Sequence, residues 1–262
     1  VYQASLLQLD NYGPWTVTPA PRPEMTLQAL QARLYADVAA FVGERGGYAF
    51  YARGDNVVAL TNGLDREDHA ALQRRVRESS PVTASIGIGA ASTPAAALAD
   101  ATARLQEAGS AQDAARTEVL RGEFVEGSQE VQIAHFDVVD ATGTYTDSVD
   151  AYAAHAAIRR GVDALAGHLY REHDALAFFV GGDNAIAVCP DLSRADFEGV
   201  IDAVHTASET VWRVGVGEGP SCQSAGMDAK HALEVGRETG DSVVFAGGRS
   251  SVCAAEVTAD DD

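Results

Sequence analysis

FYARGDNVVAL at residues 50–60 and FFVGGDNAIAV at residues 178–188 decide the fold, because they are one pattern written twice. Each is an apolar run, a glycine-aspartate-asparagine turn, and a second apolar run, which is the signature of a β-hairpin. Asp55 and Asp183 lie 183 − 55 = 128 residues apart. SIGIG at 85–89 and RVGVG at 213–217 keep that offset at Gly87/Gly215 and Gly89/Gly217. Asp65 and Asp68 match Ser193 and Asp196, Asp100 matches Asp228, and Leu105 matches Leu233. Upstream, LLQLDNY at 6–12 matches IAHFDVV at 133–139, with Asp10 and Asp137 one residue out of step. So many coincidences at one spacing mean an internal duplication.

Working outward, each copy reads β-α-β-β-α-β with a further helix. In the first copy, Tyr2 to Leu9 is a strand closed by Asp10, and Leu27, Leu30, Leu34, Val38 and Phe41 recur at helical spacing. Asp65 is placed to cap a second helix, Val82 to Gly89 is the next strand, and Pro94 opens an alanine-rich helix. The second copy repeats the order with a strand at 131–136, a helix at 147–171, a hairpin at 175–189, a helix at 194–209, a strand at 211–217 and a helix at 221–237. The expected class is α+β, two tandem ferredoxin-like βαββαβ domains with helices on one face of each sheet. The domains are expected at 1–115 and 116–262, the second ending in the acidic Asp260-Asp261-Asp262.

Composition narrows the function. Among 262 residues, 38 are acidic and 19 basic, and Lys230 is the single lysine beside eighteen arginines. Short carboxylates in place of lysine stems suit a chain that stays soluble where salt screens repulsion, and predict a halophilic source. No basic run exists to follow a nucleic-acid backbone. Cys189, Cys222 and Cys253 are odd in number and far apart, and the seven histidines show no paired spacing. That argues against a disulfide framework and against a zinc site. No stretch reaches the ~20 apolar residues of a membrane span, so the expectation is a cytoplasmic protein.

The duplicated aspartates carry the candidate chemistry. Asp10 ends the first strand and Asp55 sits on a hairpin whose strands adjoin it, with Asp137 and Asp183 repeating the placement. Two converging carboxylates make a Mg²⁺ site completed by substrate phosphates and water. Asp10, Asp55, Asp137 and Asp183 are therefore the candidate catalytic and metal-binding groups. After Asp10 comes Asn11-Tyr12-Gly13-Pro14-Trp15-Thr16, a stiff loop able to frame a phosphate or a base. After Asp137, the loop 140–146 runs toward a helix whose first amides are available to phosphate. Neither loop fits GxxxxGK[ST] or GxGxxG.

A palm repeat with these features resembles the GGDEF diguanylate cyclases and nucleotidyl cyclases. More closely, QLDNYGPWTVTPAPRPE at 8–24, LQALQARLYADV at 27–38, GSAQDAAR at 109–116, QIAHFD at 132–137 and FFVGGDN at 178–184 resemble archaeal GTP cyclohydrolase III. The resemblance spans nearly the whole chain. It implies a Mg²⁺-dependent, zinc-independent hydrolase that opens the imidazole ring of GTP, keeps the formyl group and releases two inorganic phosphates. The product it implies is 2-amino-5-formylamino-6-ribosylamino-4(3H)-pyrimidinone 5′-monophosphate, an early intermediate of flavin and deazaflavin synthesis. It also implies stimulation by a monovalent ion such as K⁺ and assembly into a dimer or tetramer. Asn11 joins the implied metal-site positions. Gly13, Trp15, Asn56, Gly181, Gly182, Asn184 and Arg237 are the implied substrate-binding positions. Asn56 or Asn184 is suited to reading guanine, and Arg237 falls where the cyclases carry a phosphate-binding lysine, with Gly109 at that place in the first copy. Which copy holds the triphosphate stays open. A nucleotidyl cyclase or pyrophosphohydrolase on the same metal site, and a non-enzymatic nucleotide sensor, are the alternative readings.

Overall fold

The computed structural model describes residues 1–125 and 130–247; Cys253 and the acidic end lie outside them. The first half contains β1 (Tyr2–Leu9), α1 (Tyr12–Val17), α2 (Glu24–Gly43), β2 (Tyr48–Arg53), β3 (Asn56–Leu60), α3 (Arg66–Ser79), β4 (Ala84–Ala91), α4 (Pro94–Gln106) and β5 (Leu120–Gly122). The second contains β6 (Val131–Val138), a π-helical turn (Thr142–Thr146), α5 (Ala151–His173), β7 (Leu176–Gly181), β8 (Asn184–Cys189), α6 (Arg194–Ser208), β9 (Trp212–Gly219), α7 (Cys222–Thr239) and β10 (Val243–Phe245). The sheets are ordered β2-β3-β1-β4-β5 and β7-β8-β6-β9-β10, so each is a ferredoxin-like antiparallel core with one added parallel edge strand. The first sheet thus runs past residue 115 to Gly122. Segment 117–119 is anchored there, since Gln73 Nε2 donates to the Val119 carbonyl and Ser85 Oγ accepts from Val119 N–H.

Local chemistry sets the helix starts. Asp65 and Ser193 cap α3 and α6 through reciprocal capping boxes with Asp68 and Asp196. α5 begins at Ala151, later than the expected 147, because the Asp150 carboxylate accepts from the amides of Tyr152 and Ala153. Those amides are therefore already occupied, and the preceding loop closes on itself, with Gly143 N–H donating to Asp140 Oδ1.

The helices divide between both faces of each sheet. Leu7, Leu9, Ile86 and Ile88 point toward α2 and α3, while Leu6 and Val58 point toward Ala101 and Leu105 of α4. This alternation follows from the two-residue repeat of a strand. The glycines of SIGIG and RVGVG are explained by the second face. A Cβ at Gly87 would run into the Ala101 carbonyl and one at Gly215 into the Ala229 carbonyl, so these positions admit the helix backbone itself. Helices α4 and α7 lie between the two sheets, where Tyr2, Ala4, Phe50 and Leu60 meet Ile133, Val188, Cys222 and Ala225 in one apolar cluster.

Register changes one correspondence. Leu9 N–H bonds to the Asp55 carbonyl and Asp10 N–H to that of Thr83; in the second half Val138 N–H bonds to Asp183 and Val139 N–H to Val211. The hairpins keep the 128 offset, but β1 and β6 correspond at 129, with Leu9 equivalent to Val138. Asn11 and Asp140 then coincide, and both are left-handed, with φ 50° and 49°. Asp10 therefore corresponds to Val139, and Asp137 corresponds to Gln8.

Candidate functional site

The second half presents a groove of about 330 Å³ between the β7–β8 hairpin and α7, lined by His135, Gly181, Asn184, Lys230, Glu234 and Arg237 among others. Lys230, Glu234 and Arg237 share one face of α7 through i, i+4, i+7 spacing. Gly181 and Gly182 have φ of 115° and 61°, a turn that glycine adopts without strain and that leaves the groove mouth free of side chains. Arg237 donates to both oxygens of the buried Asp137, at 2.6 and 3.3 Å, and to Glu234 at 2.7 Å. The Asp137 carboxylate is thus taken up by an arginine. Asp183 lies half-buried at the turn and accepts from the Asn184 amide at 3.1 Å. His135 Nε2 is buried beside Asn184 without a hydrogen bond of good geometry, and burial pushes its pKa below the ordinary 6.5, opposed by Asn184 and Asp137 and helped by Lys230 and Arg237. The single lysine of the chain therefore stands in this groove beside an arginine and a neutral histidine.

The corresponding groove of the first half is smaller, about 180 Å³, and carries no ionisable group at the matching places. His135, Asp137, Lys230, Glu234 and Arg237 are replaced by Leu6, Gln8, Thr102, Gln106 and Gly109. Adjoining it, a cavity of about 230 Å³ is lined by Gln8, Tyr12, Gly13, Gln31, Arg53 and Asp55. Asp55 has Arg53 at 3.8 Å, and Asn56, with its amide oxygen turned to Arg53, is engaged by that same guanidinium at 3.0 Å. Gly13 lies against Gln112, and Gln31 donates to the Tyr12 hydroxyl.

Asp10 opens elsewhere. Its cavity, about 250 Å³, is shared with Asn11, Trp15, Thr83 and Arg116 and does not include Asp55. The Asp10 carboxylate accepts from Ser85 Oγ at 2.6 Å, Thr83 Oγ1 at 2.8 Å and Glu118 N–H at 2.8 Å. Trp15 stacks on Tyr12 and carries the Arg22 guanidinium 3.8 Å over its ring. The Asp10/Asp55 and Asp137/Asp183 pairs are therefore near in the chain fold, yet each carboxylate has its own surroundings. Among the described residues no group of three or more His, Cys, Asp or Glu side chains converges as a metal site. Such a donor set does not make a closed cage. It fits Mg²⁺, which takes one or two carboxylates and fills its shell with phosphate oxygens and water.

His135, Lys230 and Arg116 were not singled out as site residues from sequence. Lys230 was detectable, being the single lysine and seven residues before Arg237. His135 and Arg116 carry no sequence signal of their own. At the opposite end of β6, a depression lined by Glu130, Asp191 and Glu218 is acidic and repels phosphate.

Residues 4–245 match the family model described as GTP cyclohydrolase III. The chain is 55% identical to GTP cyclohydrolase III 1 of Halobacterium salinarum, covering 94% of this chain and 98% of the relative. It is 52% identical to GTP cyclohydrolase III of Natronomonas pharaonis over 93% of this chain and 98% of that one. The Methanococcus vannielii protein of the same name is 42% identical, over 90% of this chain and 89% of its own length. Among solved structures, the GGDEF domain of DgcB from Caulobacter crescentus aligns with 45% of this chain and 79% of its own, at 17% identity and TM-score 0.38.

Proposed function

The chain belongs to the GTP cyclohydrolase III family, and from that premise we propose that it hydrolyses GTP to the formylaminopyrimidine monophosphate and two inorganic phosphates. One water adds at C8 and the C8–N9 bond breaks, leaving the formyl group on N7; two more waters cleave the phosphoanhydrides. The observation that carries the reading is the charge in the second-half groove. In a chain of net charge −19, its lone lysine, Arg237 and the donor-capable His135 share one concavity. Lys230 and Arg237 hold phosphate oxygens there, since a compact ammonium and a guanidinium fork are the side chains suited to that anion. Asn184 lines the same groove and orients the nucleotide through its amide.

Mg²⁺ is part of the proposal and zinc is not: Asp137 and Asp183 would hold it in the second half and Asp10, Asn11 and Asp55 in the first, Asp137 giving up Arg237 and Asp10 its hydroxyl and amide donors to do so. When bound, it supplies charge neutralisation of the triphosphate and a more acidic water. K⁺ as a stimulating ion, a cytoplasmic site of action in flavin and deazaflavin synthesis, and a dimeric or tetrameric assembly complete the reading. Neither nucleic acid nor membrane is proposed as a partner.

The test is direct. Protein, GTP and Mg²⁺ are incubated in molar KCl and products identified by mass and ultraviolet spectrum. The expected result is the ring-opened monophosphate with two phosphates per turnover, abolished by chelation and not restored by zinc. A cyclic nucleotide, or phosphate release with the purine ring intact, would overturn it.

A further inference from the structure

Arg116 is 5% exposed, yet its Nε and Nη2 have no hydrogen-bond partner. Nη1 donates to Gln8 Oε1 at 2.8 Å, and among the described residues no carboxylate lies within ion-pair distance. The comparison with the second half gives this its meaning. Gln8 corresponds to Asp137, which neutralises Arg237 through two hydrogen bonds. In the first half the amide takes the place of the carboxylate, and a buried guanidinium keeps its charge and two free donors. Burial pulls the Arg116 pKa below its ordinary value and nearby Asp10 opposes that pull, but the oxygens of Asp10 are themselves engaged by Ser85, Thr83 and Glu118. A chain with twice as many acidic as basic residues brings only Asp10 near this guanidinium and pairs no carboxylate with it directly.

Arg116 forms part of the wall of the cavity that holds Asp10, Asn11, Trp15 and Thr117. We propose that this cavity is a second oxyanion site, separate from the Lys230/Arg237 groove, in which the Arg116 fork takes a tetrahedral phosphate-type anion. The fork matches such an anion in shape as well as charge, whereas a single water meets at most part of its demand. Thr117 and Asn11 add a hydroxyl and an amide to the wall. The ligand chemistry has two sources, inorganic phosphate or a phosphate of a nucleotide. The site stands on Arg116 itself and does not depend on the ring-opening reaction.

The full chain in molar KCl is titrated with inorganic phosphate, followed by calorimetry and thermal melting, with chloride matched. Wild type is expected to bind saturably and to melt higher with phosphate. Arg116→Met removes the charge at similar volume and breaks no ion pair, so it is expected to fold and to melt no lower than wild type without phosphate. Its titration should lose one saturable component, weakened at least tenfold, whereas Lys230→Gln, which alters only the second-half groove, should retain that component. A second titration in the presence of GMP separates the sources: competition assigns the site to a nucleotide phosphate, and independence assigns it to free phosphate. Phosphate binding unchanged in Arg116→Met, no saturable binding in wild type, or a large loss of stability in anion-free Arg116→Met would each overturn the proposal.

Discussion

Phe50 and Phe178 stack face to face, their ring centroids 4.3 Å apart and their planes 2° from parallel. They are the same residue of the duplicated pattern, 178 − 50 = 128 apart, so the two halves meet through equivalent positions about a local two-fold relationship. Tyr48 deepens the contact by lying so close to Gly226 that no side chain fits there. Phe50→Ala is expected to cost about 3–5 kcal/mol, the range for a buried phenylalanine, and Phe178→Ala less, since Phe178 is half-buried. The double variant should fall short of the sum by about 0.5–1.5 kcal/mol, the worth of an aromatic pair. Denaturant melts of the four proteins in molar KCl measure this, and strict additivity would mean the stacked pair is not coupled.

Lys230 and Arg237 line one groove but differ in what else they hold. Lys230 has no ion pair among the described residues, whereas Arg237 neutralises the buried Asp137. Lys230→Gln should therefore raise KM for GTP about tenfold or more, in line with the ~1.5–3 kcal/mol of a charge-assisted hydrogen bond, and leave the melting temperature alone. Arg237→Gln should do both kinds of damage, weakening binding and costing roughly 1–3 kcal/mol of stability, less than a fully buried pair because the arginine is partly exposed. Equal stability losses in the two variants would contradict the assignment.

The hairpins, the capping residues Asp65 and Ser193, and the strand glycines were legible because each is a local signal. Two to four residues fix a turn or a cap, and the 128 offset repeats them. The alignment of β1 with β6 was not legible. Asp10 and Asp137 look alike in sequence, but strand register is set by partners dozens of residues away, Asp55 and Thr83 for one and Asp183 and Val211 for the other. For the same reason Arg116 gave no sign, as its contact with Gln8 spans 108 residues. The loop 140–146 misled in a simpler way: Asp150, an ordinary cap, occupies the amides that an anion would need.

His69 sets a pH limit on the first half. It is fully buried, with Nδ1 donating to the Asp65 carbonyl at 2.6 Å, so Nε2 is left to accept from Ser5 Oγ at 2.8 Å. Burial holds its pKa below the ordinary 6.5, against the pull of Asp65 and Asp68. The unfolded chain then takes up a proton that the native state refuses, so stability falls as pH drops from about 6.5 toward the native pKa and is constant above that window. His135 and His168 are lowered too and act in the same direction. Melting temperature should decline between pH 7 and 5.5, and His69→Gln should make that decline shallower. An identical pH profile in the variant would remove His69 as a source.

Salt is the condition on which the other measurements depend. With 38 carboxylate residues against 19 basic ones, folding concentrates like charge, and the compact state bears more of the repulsion than the open chain. The arginines offset part of it in pairs such as Arg77–Glu118, Arg104–Asp100 and Arg159–Asp163, but these are surface contacts worth about 0–1 kcal/mol each. They leave most carboxylates unmatched. The screening length shrinks from about 30 Å at 0.01 M to ~3 Å at 1 M, so repulsion reaches across many neighbours in dilute buffer and hardly any in concentrated salt. The same ions weaken the arginine pairs, yet the unmatched charges outnumber the matched ones, and net stabilisation follows. Haloarchaeal relatives at 52–55% identity fit this expectation. Melting temperature and GTP turnover should therefore climb steeply between roughly 0.05 M and 2 M salt, a range chosen to span the change in screening. Screening alone raises the melting temperature equally in KCl and NaCl, whereas a K⁺ ion bound near the phosphates favours KCl in rate at equal stability. A melting temperature that is flat across that range in both salts would refute the salt adaptation read from the composition.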